Sequence, residues 1–323
     1  MSAEARIAAG DRAPVAFIGL GNMGSPMADR LIAAGHRVTG FDVSEAARAQ
    51  LEASGGTSAT TAIDAARAAD LVILMLPNSD IVEAVLTGDG GLLEAVAPGT
   101  LIVDMSSSEP LRTRALADAV VSAGARLIDA PVSGGVKGAV NGTLTIMVGG
   151  AADDAARANP VLEVLGTPTH VGPVGAGHAL KSINNLMSAS HLWVTSEAML
   201  TGMAFGLDPE VMLAAINRSS GRSGSTEHKW PNFIVGETYD SGFALALMLK
   251  DMRIATGLAE RLGIPHTVSD VVVEHWGAAS EELGAGADHT EVARWLRRRL
   301  PEADREQTAA APGATDQEQE RAS

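Results

Sequence analysis

The chain has 323 residues, which exceeds the usual size of one hydrophobic core, so we expect two domains. With 46% hydrophobic and 20% charged residues, the composition is that of a soluble globular protein. A formal net charge of −15 argues against binding to nucleic acid or to anionic membrane surfaces, and the absence of cysteine excludes disulfides, thiolate nucleophiles and cysteine-ligated metals. We expect a cytoplasmic protein whose residues 1–13 form a flexible N-terminus with no secretory signal.

From Pro14 onwards, short apolar runs alternate with helical segments. The runs are PVAFIG, RVTGF, DLVILMLP, GTLIVDMS, ARLIDAPVS and TLTIMVGG. Continuous apolar runs are typical of strands that are buried on both faces of a parallel sheet. The repeated strand and helix pattern predicts an α/β fold, a Rossmann-type doubly wound sheet over residues 14–177. A helix near 152–158 and a turn-rich stretch should complete it.

The second half of the chain has a helical pattern. Residues 178–205 contain no proline and a single glycine, Gly202, and further helices are predicted at 209–217, 251–262, 267–283 and 290–299. Asp208 followed by Pro209 is a good helix start, with a carboxylate cap and proline at the first position. We therefore expect an all-α C-terminal domain at 178–300, followed by a disordered tail at 301–323.

A glycine-rich segment follows the first predicted strand, in "VAFIGLGNMGSPMADRL". Its three glycines have the G-x-G-x-x-G spacing and come directly before a helical pattern, the context in which this motif binds a dinucleotide. The alternative is a glycine turn that serves packing only. The residues expected to contact the cofactor are Gly19, Leu20, Gly21, Asn22, Met23 and Gly24.

Asp42 lies 18 residues after the last of these glycines, at the end of "RVTGFD". A carboxylate there would accept hydrogen bonds from the adenosine ribose hydroxyls, and it would repel a 2′-phosphate. We therefore expect NAD as the cofactor rather than NADP. The alternative is that Asp42 only caps the next helix.

Two further loops follow predicted strands, at the edge where open α/β sheets bind ligands. The loop "LPNSD" contributes Leu76 and Pro77, and the loop "DMSSSEP" contributes Ser107, as cofactor contacts. Helix capping is the alternative role for Ser106 and Ser108.

The stretch "DAPVSGGVKGAVNGTL" offers a place for a carboxylate. Ser133, Gly134 and Gly135 present a hydroxyl and closely spaced amides, which can bind an anion without a net positive field. A flexible loop between two strands is the alternative.

Lys181, Asn185 and Ser188 share one face of the long predicted helix, while Leu180 and Met187 point elsewhere. A lysine beside a cleft can exchange a proton with a substrate hydroxyl, which a hydride-transfer enzyme requires. The alternative is a lysine on the helix surface.

Lys250 in "GFALALMLKDM" could reach the cofactor or substrate, and a salt bridge to Asp251 is its alternative role. The histidines show no metal-binding spacing with supporting carboxylates, so we expect no metal.

With these blocks located, the chain resembles the β-hydroxyacid dehydrogenase family, which includes 3-hydroxyisobutyrate dehydrogenase and tartronate semialdehyde reductase. Four blocks carry the resemblance, in family order: GLGNMGSPMADRLIAAGHRVTGFD, DAPVSGGVKGAVNGTLTIMVGG, GAGHALKSINN and SGFALALMLKDMRIA. It covers about Pro14 to Leu300 and implies a C-terminal domain like that of 6-phosphogluconate dehydrogenase, in a homodimer or homotetramer.

The resemblance also implies roles for particular residues. Lys181 would be the catalytic acid/base, Asn185 would position the substrate, the Ser133 loop would hold its carboxylate, and Lys250 would lie near the nicotinamide. Ser107 replaces the family's common Thr, and Glu109 replaces its common Ser. Residues 217–233 differ from the best-known members and are expected to line the substrate pocket.

The expected activity is NAD-dependent oxidation of a small, carboxylate-bearing 3-hydroxy acid to its semialdehyde. Reduction of a small aldehyde acid such as tartronate semialdehyde is the alternative. A non-catalytic dinucleotide-binding scaffold is disfavoured by the presence of Lys181.

Overall fold

The computed structural model describes residues 13–302 together with residues 305 and 308. The predicted flexible N-terminus, apart from residue 13, and most of the predicted disordered tail lie outside the described residues. The strands are β1 (Val15–Ile18), β2 (Val38–Phe41), β3 (Thr57–Ser58), β4 (Leu71–Leu74), β5 (Leu101–Asp104), β6 (Arg126–Asp129), β7 (Val132–Ser133), β8 (Leu144–Gly149) and β9 (Gly166–Gly172).

The helices of the first half are α1 (Gly24–Ala33), α2 (Glu45–Ala53), α3 (Ala62–Ala66), α4 (Ser79–Thr87), α5 (Pro110–Ser122), α6 (Gly135–Asn141) and α7 (Ala152–Leu165), with a 3₁₀ turn at Leu92–Glu94. Those of the second half are α8 (Ala176–Ala204), α9 (Pro209–Ile216), α10 (Leu245–Arg261), α11 (Thr267–Leu283) and α12 (Glu291–Arg297), with a π-helical segment at Ser225–Ile234.

The strands form one sheet in the order β3-β2-β1-β4-β5-β6-β8-β7, with β9 paired to β8. The strands from β3 to β6 are parallel, and β8 runs antiparallel to β6 and β7. The 3-2-1-4-5-6 order reverses between β1 and β4, which is where such sheets bind dinucleotides. The predicted Rossmann-type fold, with a helical C-terminal region, is confirmed.

Two local predictions in the first half are wrong. The helix expected near 152–158 continues to Leu165 and includes Pro160, and the expected turn-rich stretch contains the strand β9. β9 is a partly exposed strand at the edge of the sheet, so it needs no apolar run. The sequence therefore lacks the pattern that predicted the buried strands.

Both faces of the sheet are covered by apolar side chains. In β1, Val15 and Phe17 pack into one cluster with helix α1, while Ala16 and Ile18 pack into a second cluster on the opposite face. Burial on both faces explains the continuous apolar runs of the sequence.

The chain divides into two compact units between Ser182 and Ile183, inside α8. The second unit has its own core, which contains the four tryptophans of the sequence, at positions 193, 230, 276 and 295. The domain boundary at 177/178 stays a prediction.

Candidate active site

The glycine turn between β1 and α1 is held by close backbone contacts. Gly19 has φ +97°, and a Cβ on it would lie 2.3 Å from the carbonyl oxygen of Met75. A Cβ on Gly24 would lie 1.9 Å from the carbonyl oxygen of Gly19. Gly21, in contrast, is exposed and a Cβ there would meet nothing within 4 Å. The first and third glycines thus serve packing, while the second leaves open space at which a pyrophosphate could approach.

Asp42, directly after β2, is hydrogen-bonded to this turn. Its Oδ2 accepts a hydrogen bond from the backbone N–H of Leu20 (2.7 Å), and its Oδ1 accepts one from that of Ser44 (2.8 Å). Arg48 donates to the backbone oxygen of Asp42 (2.5 Å). The capping alternative for Asp42 is wrong, because Ser44 is the residue that caps α2. The carboxylate is fixed beside the turn, where ribose hydroxyls of a dinucleotide would lie.

The loops after β4 and β5 are joined by a hydrogen bond. The backbone N–H of Leu76 donates to Oγ of Ser106 (3.0 Å). Asp104, the last residue of β5, accepts from the N–H of Ser106 (3.0 Å) and from the hydroxyl of Ser108 (3.1 Å). The capping alternative for the two serines is therefore wrong, and α5 has no side-chain cap. Ser107 is half-buried between them.

Pro77 is exposed at the end of the first of these loops. It comes just before Asn78, whose side chain accepts from the N–H of Ile81 (3.0 Å) and caps α4.

A buried polar cluster attaches the first turn of α8 to the sheet. The ring of His178 lies 2.9 Å from Oγ1 of Thr113 and 3.0 Å from the backbone oxygen of Ser106. Carboxylate oxygens of Asp104 and Asp129 each lie 3.8 Å from a ring nitrogen. This cluster precedes Lys181 by one helical turn, and sequence reasoning did not find it.

Asp129 completes this attachment. Its carboxylate accepts from the backbone N–H groups of Gly175 (2.6 Å) and His178 (2.8 Å). Burial raises the pKa of Asp129, against the opposing effect of the His178 charge and these two backbone hydrogen bonds. The signal in the sequence was an aspartate at the end of an apolar run, in "RLID", as at Asp104 in "LIVD".

Ser133 ends β7, and two glycines follow it with positive φ values. Gly134 has φ +128° and Gly135 has φ +60°, and a Cβ on Gly135 would meet nothing within 4 Å. Since residues 135–141 form α6, the flexible-loop alternative is wrong. Left-handed backbone at successive residues can direct neighbouring amides toward one anion.

The first turns of helix α8 bury polar side chains and expose apolar ones. Lys181 is 7% exposed and Asn185 is 5% exposed, whereas Leu180 is 40% and Met187 is 55% exposed. The alternative of a surface lysine is wrong, because a lysine is almost never buried to this degree unless its ammonium has partners. Lys181 and Asn185 share one helix face, as predicted from their spacing.

In the second unit, Asn185 is oriented by a residue that the sequence analysis did not assign to the site. Nδ2 of Asn185 donates to Oδ2 of Asp251 (2.7 Å), and both side chains are buried. Lys250 lies 3.5 Å from Oδ1 of the same carboxylate, so the predicted alternative ion pair is present. Because the carboxylate can only accept, it fixes which end of the Asn185 amide it meets.

Within the part of the chain that the structure describes, no group of three or more histidine and acidic side chains is placed to hold a metal ion. A helix with the length and apolar character needed to cross a membrane is also absent from these residues.

The sheet order, the glycine turn at its switch point and the acidic residue after β2 define a dinucleotide-binding protein of the dehydrogenase type. Residues 14–175 match the family model of the NAD binding domain of 6-phosphogluconate dehydrogenase. Residues 175–296 match the model described as NAD-binding of NADP-dependent 3-hydroxyisobutyrate dehydrogenase. The chain belongs to the β-hydroxyacid dehydrogenase family, as its sequence blocks predicted.

Curated relatives and a solved structure agree with this assignment. The chain is 42% identical to 2-(hydroxymethyl)glutarate dehydrogenase of Eubacterium barkeri, over 78% of this chain and 84% of the relative. It is 42% identical to NAD-dependent L-serine dehydrogenase of Pseudomonas aeruginosa, over 76% and 85%. The structure of Mycobacterium tuberculosis 3-hydroxyisobutyrate dehydrogenase with L-serine has a TM-score of 0.82 at 32% identity, and the match covers 88% of this chain and 99% of that one.

Proposed function

We propose that this protein catalyses the NAD-dependent oxidation of a small 3-hydroxy acid to its semialdehyde. The observation that carries the proposal is the burial of Lys181 and Asn185 on one face of α8, while apolar neighbours on the same helix are exposed. Even with polar partners, a buried ammonium and amide stabilise a fold less than leucine and methionine would at the same positions. A polar face of this kind is therefore better explained by a substrate than by packing.

The residues of the glycine turn fit a dinucleotide. Gly21 would let the backbone approach the pyrophosphate, and Asp42 would bind the adenosine ribose and disfavour a 2′-phosphate, with Leu76, Pro77 and Ser107 contacting the rest. When bound, the nicotinamide supplies the acceptor for the hydride.

The protein's own part in the chemistry is a proton transfer. Neutral Lys181 accepts the proton of the substrate hydroxyl as the alcohol is oxidised, and in the reverse direction its ammonium returns that proton. Asn185, oriented by Asp251, positions the substrate. Ser133, Gly134 and Gly135 hold the carboxylate through the hydroxyl and backbone amides.

The relatives define what such substrates share. 3-Hydroxyisobutyrate, L-serine and 2-(hydroxymethyl)glutarate all contain a CH₂OH group on the carbon that bears the carboxylate. They differ in the third substituent, which is a methyl, an ammonium or a carboxyethyl group. The hydroxyl and carboxylate thus suit the residues above, and the substituent must be distinguished elsewhere.

The test compares Lys181→Ala and Lys181→Arg with the wild type on these substrates. Loss of the acid/base should lower kcat by about 10²- to 10⁴-fold while the affinity for NAD is retained. Arginine is the matched control, because it preserves the charge but does not give up a proton near neutral pH. Unchanged kcat in either variant would refute the assignment of Lys181.

We also propose that the protein is a homodimer or homotetramer and works in the cytoplasm. Support for association comes from α8, where Leu180, Ile183, Met187 and Val194 are 40–58% exposed along one helix face. Light scattering of Met187→Glu and Val194→Glu variants should show smaller species, and unchanged mass would count against this face. Fractionation of cells would test the location.

A further inference from the structure

Lys229 is a half-buried lysine of the π-helical segment, in the part of the sequence that departs from the family pattern. Its Nζ donates to Oγ of Ser188 (2.8 Å) and lies 3.3 Å from the backbone oxygen of the same residue. The lysine and Ser188 both belong to the second unit. The ammonium is thus held against α8 by neutral oxygen atoms.

No carboxylate of the described residues forms a salt bridge with this ammonium. The charge of Asp288 acts on the Lys229 ammonium. The carboxylate oxygens of Asp288, however, accept hydrogen bonds from Ser241, Gly242 and Thr290. Desolvation lowers the pKa of Lys229 to about 8, and the charge of Asp288 only partly opposes this. Burial, followed by the Lys229 charge, lowers the pKa of the neighbouring His289 to about 4. The surroundings therefore hold a cation near neutral pH without giving it a direct counter-ion.

The register of α8 relates this cation to the proposed substrate residues. Ser188 follows Lys181 by seven residues and Asn185 by three. At 100° per residue, seven residues return to within about 20° of the same direction, and they rise about 10 Å along the axis. Lys229 is thus bonded to the same polar face of the helix, two turns beyond the proposed acid/base.

We propose that Lys229 is a specificity-determining residue that binds a second anionic group, on the third substituent of a 3-hydroxy acid substrate. The substrate class would then be dianionic 3-hydroxy acids. This inference rests on the proposed function. A monoanionic substrate would leave the ammonium without a counter-ion, and a substrate that is cationic at this position would be repelled by it.

The experiment measures kcat/KM at pH 7 for three probes: 2-(hydroxymethyl)glutarate, 3-hydroxyisobutyrate and L-serine. The wild type should prefer the dianion by at least about tenfold, since a charge-assisted hydrogen bond contributes about 10- to 100-fold. Lys229→Met should lose that factor for the dianion, change by less than about threefold on 3-hydroxyisobutyrate, and improve on L-serine. Lys229→Arg, which keeps the charge, should retain most of the preference.

An equal loss on all three probes would overturn the inference, because it would mean that Lys229 acts only on the structure. A wild type without preference for the dianion would overturn it as well. Turnover of 3-hydroxyisobutyrate that depends on Lys181 would leave the proposed function intact in both cases. Turnover that persists in Lys181→Ala would instead refute the proposed function, and the role of Lys229 with it.

Discussion

Substitution of single glycines in the turn after β1 should separate cofactor binding from folding. In Gly24→Ala, the new Cβ would lie 1.9 Å from the Gly19 carbonyl oxygen, so backbone on one side must move by more than about 1 Å. Overpacking of this kind costs about 3 kcal/mol, which corresponds to a fall in Tm of about 6–12 °C. In Gly21→Ala, the Cβ meets nothing within 4 Å, so Tm should stay within about 2 °C of the wild type.

The affinity for NAD should fall in Gly21→Ala, the variant whose Tm is expected to stay unchanged. The methyl group introduced by Gly21→Ala would occupy the space in which the backbone meets the pyrophosphate. The Kd for NAD should therefore rise by about tenfold or more, in a protein that is otherwise stable. Calorimetry supplies both quantities, with thermal scans for Tm and titration for Kd. Gly257→Ala, an open site in α10, is the matched control and should change neither NAD binding nor folding adversely. Equal loss of stability in the Gly21 and Gly24 variants, or unchanged NAD affinity in Gly21→Ala, would refute this reasoning.

Two further predictions concern charged side chains. Asp42→Asn keeps the shape beside the turn but removes the charge that repels a 2′-phosphate, so the ratio of kcat/KM for NAD to that for NADP should fall by about tenfold or more; an unchanged ratio would show that Asp42 does not select the cofactor. The pKa of Lys229 lies at about 8 in the folded state, below 10.5 when unfolded, so the unfolded chain binds more protons between these values. Lys229→Met should therefore be more stable than the wild type below pH 8, by up to about 3 kcal/mol, with the advantage disappearing toward pH 10.5. Urea unfolding at pH 7 and pH 10 measures this difference, and a less stable variant at pH 7 would contradict it.

The sequence predicted the parts of this fold that local pattern determines. The strands β1, β4, β5, β6 and β8 were evident because burial on both faces requires continuous apolar runs. The edge strand β9 was missed because its half-exposed residues carry no such requirement. Helix α7 continues through Pro160 to Leu165, so it is longer than expected. Nothing in the local sequence distinguishes a proline inside a helix from one that ends it.

The candidate site divides in the same way. Lys181 and Asn185 could be found because their spacing places them on one helix face, whatever the rest of the chain does. The attachment of α8 by Asp104 and Asp129 depends on which strand ends lie beside its first turn. Asp251 was mentioned only as an ion-pair partner of Lys250, because its bond to Asn185 joins residues 66 positions apart. Contacts between distant segments follow from the sheet order and helix packing, which a single sequence specifies only indirectly.

The buried polar face of α8 relates the proposed acid/base, Lys181, to the second cation, Lys229. A helix that served packing alone would bury Leu180 and Met187 and expose Lys181. Both changes would raise the free energy of unfolding. The chain does the reverse, and it adds a second cation at Ser188 whose desolvation is also unfavourable for stability. Both costs fall on one face of one helix, and a bound anionic substrate would offset part of each, because it brings negative charge and a hydroxyl proton to that face. Stability given up at a site in this way is the expected physical signature of function, and it predicts that substrate should raise Tm more in the wild type than in Lys229→Met.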